Sequence, residues 1–262
     1  MKLRGIFILV LSLSVGLSAT LACAQERVKL QTIEEFDRDG KPVPLSKATT
    51  DLLSYIEKTL TIHFQIQRVP WKRAMSNALK EDLVLMGMSI NKDRLDKYLF
   101  SDAINANGNW LVTRCDSRFP FDNLQDLKGK LIGIVAATSA GDAFDGQIGK
   151  LFNVENDIGA GISRLQKLMA KRMAALVWHD NVDAPLKLEN GINLSYTRRG
   201  LSNTTGDPKP FCVLPKPISI VSNHFAMRIS PANRQLLDRI NQAMAKGRKE
   251  GAIPSTVATI LN

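Results

Sequence analysis

Arg68-Val-Pro-Trp-Lys-Arg-Ala-Met-Ser-Asn-Ala-Leu79, the apolar run Leu83-Val-Leu-Met-Gly-Met88, and Ser89-Ile-Asn-Lys-Asp-Arg94 form the stretch on which the fold turns. In the first part Trp71, Ala74, Met75, Ala78 and Leu79 recur at the spacing of one helix face, and Pro70 suits a first helical turn. The run from Leu83 to Met88 has no polar partner positions, the pattern of a central strand covered by helices on both faces. Just upstream, Ile62, Phe64 and Ile66 alternate with His63, Gln65 and Gln67, the period of a half-buried strand. Strand, helix, strand is the logic of an α/β fold.

The same alternation extends outward. Val28 to Thr32 reads as a first strand, followed by a loop through Glu34, Glu35, Phe36, Gly40, Pro42 and Pro44. From Ser46 onward Leu52, Leu53, Ile56 and Leu60 predict a helix that Thr49 or Thr50 would cap. Beyond the midpoint the pattern predicts a strand at Leu131 to Val135, and a helix from about Ala140 carrying Ala143, Phe144 and Leu151. A helix with Ile162, Leu165, Leu168 and Met169 and a strand at Ala174 to Trp178 follow. Ile192 to Thr197 reads as a strand, Gly200 to Pro217 as a Pro- and Gly-rich loop, and His224 to Ile229 as a strand. Ser230 caps a closing helix with Pro231 in its first turn and Leu236, Leu237, Ile240 and Met244 on one face. No internal repeat is visible.

The ends and the composition bound the class. Lys2 and Arg4, the apolar stretch Ile6 to Leu21, and Ala22-Cys-Ala24 have the form of a secretory signal peptide, residues 1–24, cleaved after Ala24. A lipoprotein reading through Cys23 is the alternative, but Leu21 lies next but one before the cysteine, where the lipid-attachment signal wants it three before. The expected product is exported, periplasmic and soluble, with 238 of the 262 residues. Its length suits one domain or two lobes of ~100 residues. The net charge of +10 falls by two signal-peptide cations to +8. The cations are scattered and lack aromatic interleaving, which argues against nucleic acid as a partner. With Cys23 removed, Cys115 and Cys212 remain in an oxidising compartment, and a disulfide between them is expected, with two independent buried thiols as the other possibility. One cysteine pair without matching histidine spacing implies no metal site, and no cofactor is implied.

Ser89, Asn91 and Arg94 resemble the S-x-T-x-x-R segment of the extracellular solute-binding proteins of family 3, the polar amino-acid type, with Asn in the Thr slot. Asp122-Asn-Leu-Gln-Asp-Leu-Lys-Gly-Lys130 before Leu131-Ile-Gly-Ile134 resembles the family's passage into its second lobe. The likeness runs from Val28 to about Leu261. It implies a two-lobe periplasmic binding protein-like fold of type II, each lobe a mixed, mostly parallel sheet flanked by helices. Lobe one would be residues 25–113 plus 222–262, and lobe two residues 114–221. The chain would cross between them near Val112 to Asp116 and Ser219 to Asn223.

The resemblance also implies a site. Arg94 would hold a ligand carboxylate through two parallel hydrogen bonds, and the Ser89 hydroxyl would donate to it; as plain residues, Arg94 could pair with Asp93 or Asp96, and Ser89 could cap a helix. Trp71 resembles a cleft aromatic, or else packs in the core. Ala137-Thr-Ser-Ala-Gly141 matches the family's G-T-S/T segment, making Thr138 and Ser139 carboxylate ligands, or one of them a helix cap. At Arg172-Met-Ala-Ala-Leu-Val-Trp-His-Asp180 the chain departs from the family's R-x-D-A-x-x-x-D. His179 stands in the slot of the ammonium-binding Asp, with Asp180 adjacent on the opposite face of an extended strand. A solute lacking an α-amino group is one implication, and a buried His without ligand contact is the plain alternative. Glu34, Glu35 and Phe36 lie where the family often places an ammonium partner and a stacking ring.

The function implied is a monomeric periplasmic receptor that captures a small polar solute, an amino acid or related carboxylate, for an ABC transporter permease. A membrane sensor kinase is the alternative partner. An enzyme resembling cyclohexadienyl dehydratases on the same fold is the competing class. It would need a cleft carboxylate such as Glu34 or Glu35 to move a proton, and no G-x-S-x-G, metal cluster or glycine-rich phosphate loop supports it.

Overall fold

The computed structural model describes residues 25–36, 41–159, 161–180, 185–198 and 209–254. The signal-peptide reading falls outside them. Among the described residues nine strands lie on one connected sheet, ordered β2 (Ile62–Val69), β1 (Glu26–Ile33), β3 (Val84–Ser89), β9 (Ser219–Arg228), β4 (Tyr98–Arg114), β7 (Ala175–Asp180), β5 (Leu131–Val135), β6 (Asn153–Asp157), with β8 (Phe211–Val213) pairing β4 off that path.

In the first half, β1 (Glu26–Ile33) pairs in parallel with β2 (Ile62–Val69) and β3 (Val84–Ser89). The parallel pairs are bought by helical crossovers. α1 (Lys47–Leu60) buries Leu52, Leu53 and Ile56 on one face of the sheet, and α2 (Trp71–Lys80) buries Trp71, Ala74 and Ala78 on the other. Ser46, not Thr49 or Thr50, caps α1. Its side chain accepts from the Thr49 amide at 3.2 Å, because it is the last residue with extended backbone.

Two long strands carry the chain between the halves. After the short α3 (Lys92–Leu95), β4 (Tyr98–Arg114) pairs antiparallel with β9 (Ser219–Arg228) and then with β7 (Ala175–Asp180). The second half adds β5 (Leu131–Val135), parallel to both β7 and β6 (Asn153–Asp157). Short α4 (Asp142–Asp145) follows β5, and α5 (Ile162–Met169) precedes β7. The helix expected from Ala140 to Leu151 is thus a single turn, because Gly141 at φ 98° and Gly149 at φ 75° bracket it with backbone that does not continue a helix.

Ile192 to Thr197, expected as a strand, belongs to α6 (Pro185–Arg198). Leu188, Ile192 and Tyr196 are buried four residues apart, so the helical period outweighs the alternation read from the shorter window. Asn193 on the same face accepts from the Phe211 amide and donates to its carbonyl, holding β8 (Phe211–Val213) against the helix. β8 continues the pairing of β4 at Thr113 and Cys212, and the Cys115–Cys212 disulfide closes that edge. α7 (Pro231–Lys249), capped by Ser230, packs Leu237, Ile240 and Met244 against the α1 face of the first half. No helix among the described residues is long and apolar enough to cross a membrane.

Candidate functional site

A cavity of about 380 Å³ opens between the halves, a volume within the range of small-ligand pockets. Its apolar wall includes Ile33, Trp71, Met86, Val135, Trp178 and Val221. Of the residues singled out from the sequence, Ser89, Arg94, Trp71, Thr138, Ser139, His179, Asp180 and Glu35 line it, whereas Glu34 and Phe36 do not. The Glu34 amide is tied to the Val69 carbonyl.

Arg94 enters from the one-turn α3 and is only 5% exposed. Its Nη1 donates to the Ser89 carbonyl at 2.7 Å and to the Ser89 hydroxyl at 2.9 Å, and its Nη2 donates to the Ala137 carbonyl at 2.8 Å. A guanidinium has five N–H donors, so three bonds leave capacity for two more, the number a bidentate carboxylate takes. Burial depresses the Arg94 pKa, while Asp145, Tyr98 and Asp93 work against that shift. The Ser89 hydroxyl accepts from Arg94, which leaves its own proton to donate.

Thr138 and Ser139 are differently placed. The Thr138 hydroxyl donates to the Val135 carbonyl at 2.7 Å, and the Ser139 hydroxyl donates to Asp145 and accepts from the Gly141 amide at 3.1 Å. Both protons are committed to the protein.

The other half contributes Arg164, which the sequence reading missed. It lies on α5 among residues read as a core face, and its only signal there was a cation next to Leu165. The side chain is 3% exposed, donates from Nε to Asp157 at 2.9 Å and from Nη2 to the Gly133 carbonyl at 3.1 Å, and lines the cavity. Asp157 also takes Lys167 at 2.5 Å, and Glu155 takes it at 2.9 Å, so two carboxylates balance two cations behind the wall. These contacts raise the Lys167 pKa, whereas burial lowers that of Arg164.

His179 sits at the end of β7, in register with Asn109 of β4, and its Nδ1 meets the Asn109 side-chain oxygen. Burial first, then the charges of Arg164 and Arg94, lowers its pKa to about 4, so the ring is neutral near pH 7. Among the described residues, three buried polar atoms on residues that line the cavity have no hydrogen-bond partner: Trp71 Nε1, Asn107 Oδ1 and His179 Nε2.

Gly161, at φ 109° ahead of α5, faces Glu35 across the gap. A Cβ there would meet Glu35 Cγ at 3.5 Å and the Phe36 carbonyl at 3.6 Å, on a backbone that only glycine adopts readily. Among the described residues no group of three His, Cys, Asp or Glu is placed to hold a metal ion.

The sequence profile of the bacterial extracellular solute-binding proteins, family 3, matches residues 48–259. Among solved structures, an ancestral arginine-binding protein bound to glutamine is similar at TM-score 0.64 and 20% identity, over 86% of this chain and 93% of that one. Holo ArgBP from T. maritima is similar at TM-score 0.63 and 19% identity, over 84% and 89%. An amino acid ABC transporter substrate-binding protein from Streptococcus pneumoniae, bound to L-arginine, is similar at TM-score 0.63 and 12% identity, over 86% and 90%. At these identities the likeness establishes the shared two-lobe architecture. No curated protein matches the sequence.

Proposed function

The chain belongs to family 3 of the bacterial extracellular solute-binding proteins, and from that premise we propose that it captures a small polar solute bearing a carboxylate, an amino acid or a close relative. The solute binds between lobe one, residues 25–113 plus 222–262, and lobe two, residues 114–221, and the closed form is delivered to the permease of an ABC transporter. The protein works outside the cytoplasmic membrane, as a monomer without a cofactor.

The observation that carries this reading is Arg94. It is nearly buried, lies against a cavity between the halves, and makes three hydrogen bonds without a carboxylate partner. All the hydrogen-bond acceptors of this buried cation are neutral and the charges of Asp145 and Asp93 only partly offset its burial, and an incoming carboxylate removes the remaining deficit while using the two remaining donors. Ser89 adds a hydroxyl proton, Trp71 and Trp178 supply apolar wall, and Glu35 and Asp180 supply negative charge in the same cavity. Closure follows from the same contacts. Arg94 bonds to Ala137, and the Lys92 amide bonds to Asp142 at 3.2 Å, so the ligand site and the bonds between the lobes share one short segment. A solute that binds this arrangement more tightly than an open one shifts the population toward it by its differential affinity.

A thermal-shift screen of amino acids, polyamines and small dicarboxylates tests the reading. A ligand at 100 times its Kd raises stability by about 2.7 kcal/mol, and at least one carboxylate-bearing solute is expected to do so. Prephenate and arogenate incubated with the protein are expected to remain unchanged. A polyamine shift with no response to any carboxylate would overturn the proposal.

A further inference from the structure

We infer that the solute cavity continues past Trp178 into a second chamber against α6, and that the solute is a carboxylate, such as an amino acid, whose chain is long, unbranched and apolar enough to enter it. This deepens the reading of the first cavity as the solute site and rests on it.

A second cavity of about 230 Å³ lies between the start of α5, the end of β7 and α6. Its wall shares Glu35, Gly161, Trp178 and Asp180 with that of the first, so the two spaces meet at these four residues. Past them the lining is mostly apolar, with Ile162 and Leu165 from α5 and Leu188 and Ile192 from α6. All four belong to the hydrophobic core of the second half, and Trp178 packs against it. The chamber is thus an edge of that core left uncovered. Moving an alkyl chain out of water against such a wall is favourable in proportion to the apolar area it covers. Glu35 and Asp180 at the shared neck repel a second acid group, so the chain carries no negative charge where it passes.

Gly191 marks the chamber as room for a ligand rather than a packing fault. Lys187, Gly191 and Ser195 follow one another at four-residue spacing along α6, and all three line the chamber. A glycine inside a helix is destabilising relative to alanine. Two structural reasons commonly require one: backbone at positive φ, or a neighbour too close for a Cβ. Neither holds. Gly191 is not among the glycines at positive φ, and a Cβ on it would meet no atom within 4 Å. What its missing side chain provides is space in the chamber. Gly161, at the neck, is the opposite case, since its φ of 109° favours glycine and a Cβ there would touch Glu35 Cγ at 3.5 Å. Any side chain at that position would narrow the corner that the two cavities share.

Calorimetric titrations with straight-chain 2-amino acids of four, six and eight carbons test this. Affinity is expected to rise at each step, by at least about tenfold from the shortest to the longest, because four further methylenes leave water. Gly191→Phe and, as a second plug on the same stripe, Ser195→Leu are expected to erase that rise while the four-carbon acid binds as it does to the wild type. Gly191→Ala is expected to raise the unliganded Tm. Equal affinities across the series, or plugged variants that bind the eight-carbon acid unchanged or weaken all three acids alike, would overturn the inference and leave the solute-site reading intact. A lower Tm in Gly191→Ala would overturn it too, by giving the glycine a role in the fold. If no acid of any length binds, the solute-site reading fails and this inference falls with it.

Discussion

The carbonyl of Ala137, a residue held at φ 66°, accepts a 2.8 Å hydrogen bond from Nη2 of Arg94, 43 positions earlier in the chain. The left-handed backbone at Ala137 and the buried guanidinium are thus parts of one contact between the first and second halves of the chain.

Arg94→Ala is expected to abolish the ligand-induced rise in Tm, and Arg94→Lys to leave only a fraction of it, because an ammonium lacks the planar fork. Loss of three hydrogen bonds is expected to lower unliganded stability by about 1–3 kcal/mol. Thermal shift with and without ligand separates the two effects.

Ala137→Gly is expected to stabilise the unliganded protein by about 0.5–1 kcal/mol, against the usual penalty for Ala→Gly, because glycine adopts positive φ without a Cβ clash. Urea denaturation checks the sign. Ala137 occupies the glycine slot of the G-T-S/T segment, so the substitution restores the residue that the backbone favours.

Stability should fall with pH through His179. The unfolded ring takes up a proton near 6.5 and the folded one near 4. Between those values the unfolded state binds more protons, so stability is full above about pH 6.5 and declines toward pH 4. The total loss is about 3 kcal/mol. His179→Gln is expected to remove most of that slope. A shallower part remains from His224, which burial also shifts downward.

Asp157→Asn leaves Arg164 buried with a neutral partner and is expected to destabilise by about 3–5 kcal/mol. Since Arg164 lines the cavity, the same variant is expected to weaken ligand binding. Calorimetry on both quantities distinguishes a global loss of fold from a local change in affinity.

The Cys115–Cys212 bridge joins residues 97 apart. For a loop of this length chain-entropy arithmetic gives about 4.7 kcal/mol as an upper figure. Cys115→Ser with Cys212→Ser is expected to lose about 2–4 kcal/mol and to make Tm insensitive to dithiothreitol, whereas wild-type Tm falls on reduction.

The sequence made the first half legible because its periods are clean. Leu83 to Met88 has apolar residues on both faces, and Leu52, Leu53 and Ile56 mark a helix on one side of it. It hid β4, whose middle stretch from Asp102 to Asn107 mixes Asn and Ala without alternation, since its pairing with β9 rather than its side chains fixes it. β6 was hidden for a related reason: Asn153-Val-Glu-Asn-Asp157 is polar, and Glu155 and Asp157 are there to meet Lys167 and Arg164. Arg94, Ser89 and His179 were found through a motif. Arg164 and Asn109 were not, because their roles come from strands and helices distant in sequence meeting at one wall.

β4 and β9 are hydrogen-bonded from Tyr98 and Arg228 to Asn109 and Ser219, with register shifts between Phe100 and Ala103 and between Ala103 and Asn105. Main-chain pairing of this extent ties the two halves of the sheet together without a loose linker, and the irregularities on either side of Ala103 bend and twist that tie within the first half.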